Sequence, residues 1–161
     1  MGRGSTSQFQ RIAIVGGFVA IGAIVIFMAM LQISTAQNVA FKQAWNSVKF
    51  EANELTREYQ AEEGRWKAGQ YSNETMAGIV GDYLPRYEKL IDKTKAIETP
   101  ERYQQARDLL ARSIESEKES NEHFRSYLLT GDPKEYEKAS DLLSLSLKYE
   151  AESAGAMSAA G

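Results

Sequence analysis

Residues 12–31 read IAIVGGFVAIGAIVIFMAML, without one charged or amide side chain. Twenty residues of α-helix at ~1.5 Å each span roughly 30 Å, the thickness of a bilayer's hydrocarbon core. A helix in lipid satisfies its own backbone hydrogen bonds, whereas a soluble helix would need a polar face that this stretch lacks. The residues that follow are too polar to wrap it on every side. The stretch predicts a single transmembrane helix over 12–33, after a short polar tip over 1–11. The lipid bilayer is the first expected partner.

Charge orients this span. Arg3 and Arg11 precede it, and the next basic residue is Lys42. The positive-inside bias places the tip in the cytoplasm and the bulk of the chain outside it. The chain carries 19 Lys and Arg against 22 Asp and Glu. With two of the cations ahead of the span, the outer part holds 17 against 22, a balance of −5. An acidic domain repels phosphates, so nucleic acid is not an expected partner. The absence of cysteine removes disulfides and thiolate metal sites. His123 is the only histidine, and no Glu-x-x-His occurs, which a di-iron helical bundle would need on two helices. No cofactor, metal or enzymatic activity is expected. Glu119, four residues before His123, is its expected surface hydrogen-bond partner.

Two further features bear on the span. Ser34-Thr35-Ala36 offers small residues to a signal peptidase ahead of Gln37, so a secreted helical protein is an alternative. The apolar run is longer than the usual ~7–15 residues of a cleaved leader, which favours a retained signal-anchor. Small residues recur within it at Gly16, Gly17, Ala20 and Ala23. Gly16 and Ala20 form a small-xxx-small pair that lets another membrane helix approach closely. These four are candidate contacts to other membrane subunits or to a second copy.

Outside the span, residues 34–154 predict four helices, about 34–66, 72–97, 100–130 and 133–153, with 155–161 as a flexible tail. In the first, Phe41, Trp45, Val48, Ala52, Leu55 and Tyr59 step by four and three, and Trp66 follows one heptad on. The second repeats the pattern at Met76, Val80, Tyr83, Tyr87, Leu90, Thr94 and Ile97. Ser72 or Asn73 caps it, and Pro85 predicts a kink or restart. The third starts with Thr99 as cap and Pro100 at the first position. Its middle is polar where the stripe should pass, at Ser113, Glu117, Ser120 and Asn121. Gly131 ends it in a left-handed turn. Asp132 caps the fourth helix, Pro133 takes its first position, and Glu135 completes a capping box. The fourth helix has the widest apolar surface, from Tyr136 to Tyr149, and is expected to be the most enclosed. The expected fold is all-α: a transmembrane helix continuing into an up-down-up-down four-helix bundle. A sequon at Asn73-Glu74-Thr75 leaves glycosylation open.

Residues 123–149, HFRSYLLTGDPKEYEKASDLLSLSLKY, resemble a hairpin of the extracytoplasmic helical sensor domains of chemoreceptors and membrane histidine kinases. The matching part is Tyr127-Leu128-Leu129-Thr130-Gly131-Asp132, then Tyr136 and a helix rich in leucine and alanine. In those sensors the hairpin tends to come early, and here it comes last. They also carry a second span and a cytoplasmic signalling region, neither of which is among these 161 residues. The resemblance implies a bundle that would signal only through a partner.

Two function classes follow. The leading expectation is a non-enzymatic, single-span protein that presents an acidic bundle for protein–protein interaction, as an accessory or structural subunit of a membrane complex. The alternative is a ligand-binding sensor module acting through a partner. Its pocket, or the partner surface, would be lined by Ser113, Glu117, Ser120, Asn121, Tyr83 and Tyr87.

Overall fold

The computed structural model describes the backbone of residues 6–161 and the side chains of Gln32 and residues 34–161. Four helices make the architecture: α1 (Thr6–Lys67), α2 (Asn73–Lys95), α3 (Gln104–Thr130) and α4 (Pro133–Ala160). A short 3₁₀ turn, Glu101–Tyr103, precedes α3, and no strand occurs among the described residues. The chain divides into two units, residues 1–39 and residues 40–161. The expected span, with Gly16, Gly17, Ala20 and Ala23, lies outside the residues with described side chains, Gln32 apart. Among the described residues no helix is long and apolar enough to cross a membrane.

The second unit is a bundle held by the α1 and α2 stripes. Phe41, Trp45, Val48, Ala52, Leu55 and Tyr59 are all buried, as are Met76, Val80, Tyr87, Leu90 and Thr94. Burying an aromatic or branched side chain of this size contributes about 1.5–3 kcal/mol, so a 4-3 stripe is enough to hold each helix on its partners. One core gathers Phe41, Trp45, Val48, Leu55, Tyr87 and Tyr103. A second gathers Tyr59, Met76, Val80, Phe124 and Leu128. The pairing of residues gives the directions. Glu58 meets Arg86, so α1 and α2 are antiparallel together with Trp66 and Asn73. Phe41 stacks on Tyr103 and Trp66 lies edge-on to Phe124, so α1 and α3 are parallel. The order is up-down-up-down.

The helix ends follow the chemistry of their residues, with two departures. α1 stops at a Schellman turn: Gly69 takes φ +75°, and the Gln70 and Gly69 amides donate to Arg65 and Trp66 carbonyls. Ser72 accepts from the Thr75 amide as the cap of α2. Pro85 sits inside α2, which runs past it as one helix. Pro100 does not start α3. Its extended backbone (ψ 144°) precedes the 3₁₀ turn, and Thr99 donates to the Ile97 carbonyl instead of capping. Asp132 caps α4 through the Lys134 amide, but Glu135 turns away to His123. The Asp132 amide is met by Thr130 Oγ1, so no capping box is needed. The expected flexible tail is helical as far as Ala160.

α4 differs most from expectation. It is not the most enclosed helix: its buried residues are Ala139, Ser146 and Ser153, while Tyr136, Leu143 and Leu147 stay exposed. It meets α3 through a row of small residues one heptad apart. Ser153 Oγ donates to the Ala106 carbonyl at 2.6 Å, Ser113 Oγ to the Ser146 carbonyl at 3.0 Å, and Ser120 Oγ to the Ala139 carbonyl at 2.7 Å. The pairs step seven residues up α3 and seven residues down α4. A seryl hydroxyl reaches a facing backbone carbonyl only when helices pack at the near end of the usual ~8–10 Å. At these three contacts only alanine and serine stand between the helices, and the leucines of α4 fall to either side.

The seam makes a size-dependent prediction. Ser146→Ala should cost under about 1 kcal/mol, since the carbonyl that Ser113 uses remains. Ser146→Leu should cost about 2–3 kcal/mol by forcing the helices apart. Urea unfolding of the two variants checks this, and equal costs would contradict a close seam.

Candidate functional site

The polar middle of α3 divides between two environments. Ser113 and Ser120 are buried against α4, and their hydroxyls are spent on its carbonyls. Glu117 points the other way, into the space between α1, α2 and α3. Its Oε1 accepts from Thr56 Oγ1 of α1 at 2.7 Å and from Tyr87 Oη of α2 at 3.0 Å. One carboxyl oxygen thus ties three helices together.

Electrostatics follow from burial. Removal from water pushes the Glu117 carboxyl above the ordinary carboxylate range, partly offset by the Thr56 and Tyr87 hydroxyls, and Glu150 adds like-charge repulsion. No basic group contributes to the balance. Burial also pushes the Tyr87 phenol up, and the neighbouring Glu117 charge pushes it further, while Thr56 and Asn121 ease it. Tyr59 is pushed up in the same way, first by burial and then by the charges of Glu63 and Glu117. All three groups are held in their neutral forms more firmly than in water.

Beside Glu117 a cleft of about 210 Å³ opens between α1, α3 and α4. From α1 it is lined by Thr56, Tyr59 and Glu63, and from α3 by Glu117, Ser120, Asn121 and Phe124. Tyr136, Ala139 and Leu143 close the α4 side. Glu63 pairs with Lys67 at 2.8 Å, and both line the same cleft. Tyr59 Oη and Asn121 Nδ2, on two of the lining residues, are fully buried and have no hydrogen-bond partner.

Of the residues singled out in the sequence, Glu117, Ser120 and Asn121 line the cleft, and Tyr87 holds Glu117 from behind. Ser113 belongs to the seam alone. Tyr83 lies edge-on to Tyr59 at 5.5 Å under the Arg86 guanidinium, away from the cleft. His123 pairs with Glu135 across the α3–α4 turn at 2.6 Å, not with Glu119 on its own helix. Thr56 and Tyr59 are among the lining residues that the sequence did not single out, with Glu63, Phe124, Tyr136 and Leu143. Tyr59 was absorbed into the α1 stripe, and Thr56 lies directly after Leu55 at its edge. A polar β-branched residue beside a heptad stripe was the available signal. Set against known protein families, curated proteins and solved structures, the chain matches none.

The raised Glu117 carboxyl has a consequence for stability. The folded state holds this proton more tightly than the unfolded chain does. Its stabilisation is therefore complete below about pH 4.5 and is lost as pH climbs through the raised value. Glu117→Gln keeps a carbonyl acceptor for Thr56 and Tyr87 but does not titrate. Thermal melts should show Gln gaining on the wild type as pH rises from about 4 to about 8. Tyr87→Phe should cost about 1–3 kcal/mol at neutral pH, by taking a donor from a buried carboxyl. A Gln-to-Glu difference that does not vary with pH would contradict the burial of this charge.

Proposed function

We propose that the chain is a non-enzymatic, single-span membrane protein that presents its acidic helical bundle outside the cytoplasm for protein–protein interaction. Its place would be that of an accessory or structural subunit of a membrane complex. The observation that carries this reading is the outer face of α4. Tyr136, Leu143 and Leu147 are 48%, 42% and 60% exposed, and they lie at i, i+7 and i+11 on one side of the helix. A monomer that never meets a partner has no reason to leave such a row in water. The apolar run over 12–31 and the two arginines ahead of it support the anchor and its orientation. Gly16, Gly17, Ala20 and Ala23 would serve as the contact inside the bilayer. The excess of acid over base in the outer part suits a partner with a basic rim around an apolar centre.

Purification of the full chain from its native host in mild detergent, followed by mass spectrometry, tests the proposal. The expected result is a stoichiometric membrane-protein partner that is lost from the Leu143→Lys/Leu147→Lys variant. That variant should keep its stability to within about 0.5 kcal/mol, because both positions face solvent. Recovery of a freely soluble polypeptide beginning at Gln37 would overturn the membrane reading. Retention of the partner by the lysine variant would overturn the α4 surface.

A further inference from the structure

Glu117 is a half-buried carboxyl between helices that makes no ion pair, and Lys67, which lines the same cleft, is paired with Glu63. The other acids in the bundle's ion pairs meet a lysine, an arginine or His123, among them Glu58, Glu63 and Glu135. Glu117 is in none of these pairs, and both its hydrogen bonds arrive at Oε1. A charge drawn out of water without a partner is disfavoured, which drives the carboxyl towards its neutral form. Glu150, paired with Lys49 at 3.5 Å, adds like-charge repulsion. The cleft beside Glu117 has room for on the order of seven waters at ~30 Å³ each, or for one small organic molecule. Its walls hold two further unmet groups. Tyr59 and Asn121 are 7% and 5% exposed, and Tyr59 Oη and Asn121 Nδ2 have no partner. Trp45 Nε1 and Tyr103 Oη in the main core also lack a partner, whereas Tyr59 and Asn121 belong to residues lining the cleft beside a carboxyl.

We propose that this cleft binds a small organic ammonium compound that carries an oxygen acceptor near its nitrogen and an apolar body. The ammonium pairs with Glu117, supplying the cation the protein withholds. The oxygen accepts from Asn121 Nδ2, which can only donate, once the amide turns to face the cleft. Tyr59 Oη can donate to the same oxygen or accept from the ammonium. Phe124, Tyr136 and Leu143 bound the cleft and suit an apolar body, and the aromatic faces attract an organic cation. A metal ion fits less well. Calcium takes about six to eight oxygen ligands and several carboxylates, and no group of three acidic or imidazole side chains converges among the described residues. This inference concerns a different class of ligand from the α4 docking surface, with Tyr136 and Leu143 bordering both sites.

The test is an NMR titration of the full chain in detergent micelles with 2-amino-1-phenylethanol. Two analogues are compared with it: 1-phenyl-1,2-ethanediol, which lacks the charge, and 2-phenylethylamine, which lacks the oxygen. The expected result is saturable binding below about 10 mM, with shifts centred on residues of α1, α3 and α4 around Glu117. Each analogue should bind at least roughly tenfold more weakly. Glu117→Gln should weaken the amino alcohol by roughly tenfold or more. Ser140→Trp, at an exposed position lining the cleft, should block binding with Glu117 intact. Absence of binding by the wild type would overturn the proposal. So would equal binding of the diol, or binding that both variants leave unchanged.

Discussion

Three hydroxyl-to-carbonyl contacts between α3 and α4 set the terms for the rest of the bundle. Ser153 on Ala106, Ser113 on Ser146 and Ser120 on Ala139 repeat every heptad and bring two backbones together with almost no side chain between them. Each contact places a polar group where a core would usually hold an aliphatic one, and each satisfies it locally. The net gain per hydrogen bond is small, about 1 kcal/mol, but the alternative of an unpaired buried hydroxyl is costly. The seam therefore selects a register more than it adds stability. With α4 drawn in on small residues, its leucines and Tyr136 are left outside the core. The large aromatics of α1 and α2 supply the burial that holds the molecule together.

The same geometry accounts for the cleft. On the seam side, α3 presents Ala106, Ser113 and Ser120. On its other sides it presents Ile114, Glu117, Asn121 and Phe124 to α1 and α2. Where α1 carries Thr56, Tyr59 and Glu63 opposite the small residues of α4, the volume between the helices is not filled. A charge and two orphaned polar atoms collect there.

Much of the fold was legible before the structure. Heptad spacing located the buried faces of α1 and α2, with Trp66, Tyr83 and Ile97 only half-buried, because large apolar side chains at a 4-3 period leave a helix one way to pack. Gly131, Asp132 and Ser72 marked helix ends through local backbone chemistry that needs no tertiary context. The environment of α4 does not follow from its leucine content. The informative residues were the small ones, Ala139, Ser146 and Ser153, whose period of seven mirrors Ala106, Ser113 and Ser120. The polar middle of α3 was noticed, but one dimension of sequence cannot tell that Ser113 and Ser120 point to α4 while Glu117 points to Thr56 and Tyr87. Pro100 and Glu135 took roles set by neighbours rather than by local propensity: the 3₁₀ turn in one case, His123 in the other.

The α3–α4 register is most directly tested by disulfide trapping, since the chain has no cysteine to interfere. Cysteines introduced at Ser113 and Ser146 should cross-link on mild oxidation within one chain, because a disulfide needs Cα atoms within about 7 Å. Cysteines at Ser113 and Ala139, or at Ser113 and Ser153, are displaced by one heptad, roughly 10 Å along the helix, and should not. Cross-linking of a displaced pair in preference to 113 with 146 would contradict the seam, and with it the positions of the α4 face and the cleft.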